Sequence, residues 1–211
     1  MSLYTPPLFS GSTDDAAALM RGYPFATLIT TTQGEPRITH LPLLWQAGGA
    51  HGVLLGHMAR ANPHWQAFVA GITVAIFHGP HAYISPRWYV NPDREVPTWN
   101  YAVVHAHGHP QLIGDEDAKL ALIDRTTAEF ERAAPQPWTR KVKGERLHAM
   151  LGAIVAFRMP LERIEAKFKM NQNRTPGDRE QVMAQLRETT HPDLADMAEW
   201  MRTHEPANDQ A

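Results

Sequence analysis

Apolar residues recur along the chain with two periods, and the period of two dominates. Alternating, β-branched runs at 25–32 and 37–45 read as strands, with Gln33-Gly34-Glu35-Pro36 as the hairpin turn between them. Gly48-Gly49 turns the chain into a third run at 52–58, and three strands in such quick succession are the spacing of an antiparallel barrel or sandwich. A buried strand at 72–77 with a continuation at 82–85, a strand pair within 98–113, and strands at 153–159 and 161–168 extend the sheet. Helical spacing is rarer. Ser12 caps a short helix ending at Gly22, and Asn62-Pro63 opens a helical segment at 64–69. A helix at 115–132 starts on acidic residues and keeps Leu120, Ile123, Thr127 and Phe130 on one face. Helices at 179–188 and 193–204 finish the chain. The fold class expected from this pattern is mainly β, of the α+β kind, with peripheral helices.

Composition narrows the picture. A chain of 211 residues suits one large domain. The stretch 135–143 is the one plausible internal joint, too short to argue for two domains. Twenty Lys and Arg against 22 Asp and Glu leave a net charge of -2, without the positive field that non-specific nucleic-acid or membrane binding needs. The absence of cysteine removes disulfides, thiol nucleophiles and thiolate-bound zinc, and fits a cytoplasmic protein. No apolar run approaches the roughly 20 residues of a membrane-spanning helix, and the first residues lack the pattern of a signal peptide.

Three segments carry candidate chemistry. Gly56-His57-Met58-Ala59-Arg60-Ala61-Asn62-Pro63 combines a strand end, a guanidinium and a helix start, the parts of a phosphate site; an ordinary strand-to-helix turn with a surface arginine has the same parts. Residues 96–109 put Trp99, Tyr101, Val103, His105 and His107 on one strand face and Asn100 and Ala102 on the other. The alternating His105, His107 and His109 suit a metal, yet no carboxylate motif completes a ligand set, and histidines packed on a strand surface explain them equally. Lys167-Phe168-Lys169-Met170-Asn171-Gln172-Asn173-Arg174 brings cations and amides to a strand end, as a ligand site or a solvated turn would. Neither phosphate-binding glycine fingerprint occurs, nor a nucleophile elbow, so dinucleotide folds and hydrolases are disfavoured.

Together with 82–89, these segments resemble, in matching order, the PaiB family of negative transcriptional regulators; 1–9 and Thr39-His40-Leu41-Pro42 are similar too. The likeness covers about 1–186. It implies an FMN-binding split barrel, shared with pyridoxamine-phosphate oxidases and flavin reductases and usually a homodimer, with 1–190 as the barrel domain and 191–211 as a C-terminal helical extension. It implies phosphate contacts at His57, Arg60 and Asn62, and passage of the flavin ring along Thr39, His40 and Leu41. Trp99, Asn100, Lys169 and Gln172 become candidates for the ring or its neighbouring pocket. Three functions stay open: an FMN-binding regulator, an FMN-dependent oxidoreductase, or a metal or haem protein using 105–109. The basic stretch 140–146 is short and lies in no helix-turn-helix pattern, so direct sequence-specific DNA binding is not expected.

Overall fold

The computed structural model describes residues 3–69, 71–188 and 192–204. Residues 1 and 2 of the family-like start and residues 191 and 205–211 of the expected extension therefore lie outside the described residues. The elements in chain order are α1 (Thr13–Gly22), β1 (Phe25–Thr32), β2 (Glu35–Pro42), β3 (Leu44–Gln46), β4 (Val53–Ala59), β5 (Thr73–Ile84), β6 (Thr98–Gly108), β7 (Gln111–Ile113), α2 (Glu116–Glu131), α3 (Gly144–Gly152), β8 (Ile154–Lys169), α4 (Pro176–Glu188) and α5 (Pro192–Thr203). The strands pair in the order β2-β1-β5-β6-β8-β4-β3, with β7 on β8. The fold is thus mainly β with peripheral helices.

The chain divides into two compact units: residues 1–22, 78–105 and 165–211 form one, and 23–77 with 106–164 form the other. In the first, α1 begins at a reciprocal cap in which the Asp15 amide donates to Ser12 Oγ at 3.1 Å and the Ser12 amide to Asp15 Oδ2 at 2.9 Å. It buries Ala16, Leu19 and Met20, and the rest of this core comes from Ile84, Tyr89, Val104, Phe168, Met170, Leu186, Met197 and Met201. The second unit holds the β1–β2 hairpin, closed through Gln33 and Gly34 at φ 53° and 84°, the doubly left-handed turn that suits strand twist. Its core is Leu28, Leu41, Leu43, Leu54, Phe77, Phe157 and Met159, and Phe68 meets Phe157 edge-on at 5.1 Å.

Four expectations are corrected. The run 37–45 is two strands, because fully buried Leu43 donates its amide to the Pro24 carbonyl and turns the chain from one end of the strand order to the other. Residues 98–113 are not a pair: β7, set off by Pro110, pairs with β8. The two strands expected at 153–168 are one, since Pro160 faces Val53 at the last rung of the β4–β8 ladder, where its missing N–H interrupts nothing. Finally, α3 occupies 144–152, which the sequence pattern left without an element; Gly144 at φ 61° starts it.

Candidate functional site

The second unit gathers a chain of side-chain hydrogen bonds around His64. Asn62 Nδ2 donates to Thr39 Oγ1 at 3.0 Å, and Thr39 Oγ1 lies 2.8 Å from His64 Nδ1. On the other side of the ring, His64 Nε2 is 2.9 Å from Thr30 Oγ1, which is 2.7 Å from Thr73 Oγ1. His64, Thr30 and Thr73 are buried. Local structure sets this up: Asn62 Oδ1 accepts the His64 amide at 3.0 Å, holding the start of the 3-10 segment Pro63–Val69, which stands where an α-helical turn was expected. Burial, reinforced by the nearby Arg37 guanidinium, pushes the His64 pKa below its ordinary value. A hollow of about 410 Å³ beside this network is lined by Thr32, Gln33, Glu35, Arg37, Pro63, Gln66 and Ala67.

Of the three expected phosphate ligands, the structure ties Asn62 to Thr39 and sends His57 and Arg60 elsewhere. Arg60 Nε donates to the Gly152 carbonyl at 2.6 Å and its Nη2 to the Ile154 carbonyl at 3.0 Å, so it closes off the end of α3. Three of its five N–H groups are not engaged by those bonds. His57 faces a separate apolar pocket under α2 and α3, and burial lowers its pKa. Gly56 is there for packing: a Cβ would stand 2.5 Å from Leu43 Cδ2 and 3.0 Å from the Phe157 ring. His40 Nδ1 lies 3.1 Å from Thr27 Oγ1, Leu41 is buried opposite Ala26, and β2 ends the strand order, so among the described residues the backbone groups along its outer edge have no ladder partner.

The remaining candidates lie in the first unit. Trp99 is half exposed, against His81 and edge-on to Tyr83, and its carbonyl accepts from Lys169 Nζ at 2.7 Å. Burial, then Lys167 and Arg174, lowers the Lys169 pKa. Gln172 is spent on its own turn, donating to the Phe168 carbonyl and accepting the Met170 amide at 2.7 Å. Asn100 is fully buried with Nδ2 on Met201 Sδ, and its Oδ1 has no partner among the described residues. Among the histidines, His107 is buried, and His109 in the second unit stands 3.7 Å from Glu162. No group of three ligand side chains lies wholly within either unit among the described residues.

Sequence reasoning missed His64, Thr30, Thr32, Arg37 and Gln66. The available signal was the hairpin register, which sets Thr30 opposite Arg37 and Leu28 opposite Thr39. Whether the residues fit an FMN phosphate and ribityl chain is tested by Thr32: its Oγ1 is buried and has no partner among the described residues, and the residue lines a hollow that also offers a cation and an amide. The hollow falls within the roughly 300–1,000 Å³ of small-molecule sites, and a buried hydroxyl left unsatisfied beside it calls for a polar partner. The residues fit, with Glu35 as the one side chain of wrong sign.

Comparison with known proteins agrees. A family model described as "Putative FMN-binding domain" matches residues 3–163. The chain is 40% identical over 179 residues to the Bacillus subtilis (strain 168) protein named protease synthase and sporulation protein PAI 2, covering 84% of this chain and 85% of that protein. Among solved structures, the flavocytochrome Anf3 of Azotobacter vinelandii superposes with a TM-score of 0.58 at 16% identity, covering 74% of this chain and 67% of that one. The FAD and heme binding protein of Mycobacterium smegmatis gives 0.55 at 19%, covering 76% and 72%. At those identities the likeness is one of fold. With the family model spanning most of its length and a PaiB relative at 40% identity, the chain belongs to the PaiB family of FMN-binding split-barrel proteins.

Proposed function

We propose that the chain holds FMN with the phosphate and ribityl end in the hollow beside the His64 network, as a cytoplasmic, homodimeric regulator. The observation that carries this reading is that Thr32, whose Oγ1 has no partner among the described residues, lines the same hollow as Arg37 and Gln66. Arg37 supplies charge to the phosphate and Gln66 an amide, while the Asn62–Thr39–His64 chain keeps the wall from collapsing. Arg60 adds charge through the N–H groups that its bonds to the Gly152 and Ile154 carbonyls leave over. The edge of β2 at Thr39, His40 and Leu41 turns backbone groups to the polar rim of the flavin ring. When bound, FMN supplies the electron chemistry, and these groups orient it. The regulatory role extends the name of the Bacillus subtilis relative. It works without base reading by this chain alone, whose net charge is -2.

Titration of the apoprotein with FMN, followed by flavin absorbance, tests the cradle. Arg37→Ala is expected to weaken binding by about 1.5–3 kcal/mol, the usual worth of a hydrogen bond to a charged group, and Arg60→Ala by less. Equal affinity of Arg37→Ala and the unmodified protein would move the phosphate elsewhere.

A further inference from the structure

Beneath α2 and α3, and wholly within the second unit, lies a second cavity of about 220 Å³. Its apolar wall is Ile123, Val142, Leu147, Met150, Leu151 and Ile154, and its polar groups include His57 from β4 and Thr127 from α2. Trp138 lines it as well, and lines a neighbouring hollow of about 280 Å³, so this indole stands as a panel between two open spaces, 53% exposed. A large aromatic side chain held in such a position leaves apolar ring surface in water, which an apolar ligand would cover.

Charge at the cavity is already balanced. Arg140 grips Asp124 with two hydrogen bonds of 2.9 and 3.0 Å and the Val142 carbonyl with a third of 2.8 Å, so neither charge is left to attract an ion. His57 is held towards its neutral form by burial and there offers one ring N–H and one acceptor nitrogen. A charged ligand would lose its hydration with no countercharge in return. Size sets the other limit: an engineered apolar cavity of about 150 Å³ takes benzene, so this one has room for one fused pair of rings. Met150 lets the wall adapt to outline.

We infer that this cavity is a binding site for a neutral, planar, bicyclic aromatic molecule carrying one hydrogen-bonding ring nitrogen, which lies against Trp138 and bonds to His57. The site is separate from the flavin cradle. The inference does not rest on the placement of FMN.

The test uses the full chain with FMN present and absent, with indole as the probe and indole-3-acetate as the charged control, followed by ligand-observed NMR and calorimetry. Saturable indole binding below about 1 mM at one site per chain is expected in both forms, with at least tenfold weaker binding of indole-3-acetate. Leu147→Trp fills the cavity and is expected to abolish indole binding while FMN titrates as before; Thr127→Phe serves the same purpose should the first variant fail to fold. His57→Phe keeps the shape, removes the hydrogen bond and is expected to weaken indole at least fivefold. Indole binding that survives both filling variants, or none at millimolar concentration, overturns the proposal. Competition between indole and FMN, or loss of FMN binding in a folded filling variant, also overturns it, because the cavity would then be the flavin's own.

Discussion

His64 is the residue on which most of the second unit's polar architecture turns. Its ring bridges Thr39 and Thr30, one on each nitrogen, and lies 5.6 Å from the Phe68 ring. Burial and the Arg37 charge depress its pKa, so the neutral imidazole belongs to the folded state and the proton to the unfolded one. Stability from this group is complete above its ordinary pKa of about 6.5 and declines as pH falls from there through the depressed folded value. His57, also depressed by burial, acts in the same direction. The expected result is a lower thermal midpoint at pH 5.5 than at pH 7.5, and a His64→Gln variant with a shallower acid slope. An NMR titration placing the His64 midpoint at or above 6.5 would contradict this account.

Elements defined by local rules were legible from the sequence; those defined by partners were not. Residues 25–32 became β1 without change, and the cap at Ser12 and the acidic first turn after Asp115 started α1 and α2, because alternation, capping and end charge are properties of neighbouring residues. The partner of β7 and the bend at Leu43 depend on which strand lies alongside, which no local pattern encodes. The same holds for the site: Asn62 and Thr39 were legible as motif members, but the His64 ring meets Thr39 and Thr30 only through long-range packing, and the engagement of Arg60 by the end of α3 required that helix to be known. At this scale the expected extension at 191–211 also gains a physical meaning. Arg179 of α4 is 4% exposed, with Nη1 on the Met170 carbonyl and Nη2 2.6 Å from the Met201 carbonyl of α5, whose Met197, Ala198 and Met201 are fully buried. Removing that guanidinium strands buried carbonyls at both ends, so Arg179→Ala is expected to cost about 3 kcal/mol in urea unfolding. Ending the chain at Glu188 would expose the same surface and should lower the thermal midpoint by several degrees or more. A truncated chain as stable as the full one would make α5 a true appendage.

For the molecule as a whole, no helix among the described residues is long and apolar enough to cross a membrane, yet the second unit carries large apolar side chains in water. Phe25 is 66% exposed, Ile38 55%, Val69 90% and Ile72 67%. The hairpin register explains two of them: Phe25, Thr27 and Ile29 share a face with Pro42, His40 and Ile38, the face opposite Ala26, Leu28 and Leu41 in the core. An edge hairpin with an apolar outer face is a surface that a second copy covers at low cost, and in a two-fold pair each copy would present the same patch to the other. The proposed flavin ring passes along that same strand, so self-association and FMN affinity should be linked. Sedimentation at micromolar concentration is expected to give about twice the 23.7 kDa chain mass. Ile38→Glu places a charge in the patch without touching the core; it should shift the protein to monomer and weaken FMN at least tenfold, since a ligand bound between subunits favours the assembled state. A monomeric Ile38→Glu chain that binds FMN as tightly as the unmodified protein would show that each chain holds its flavin alone, and the dimer would then need another reason to exist.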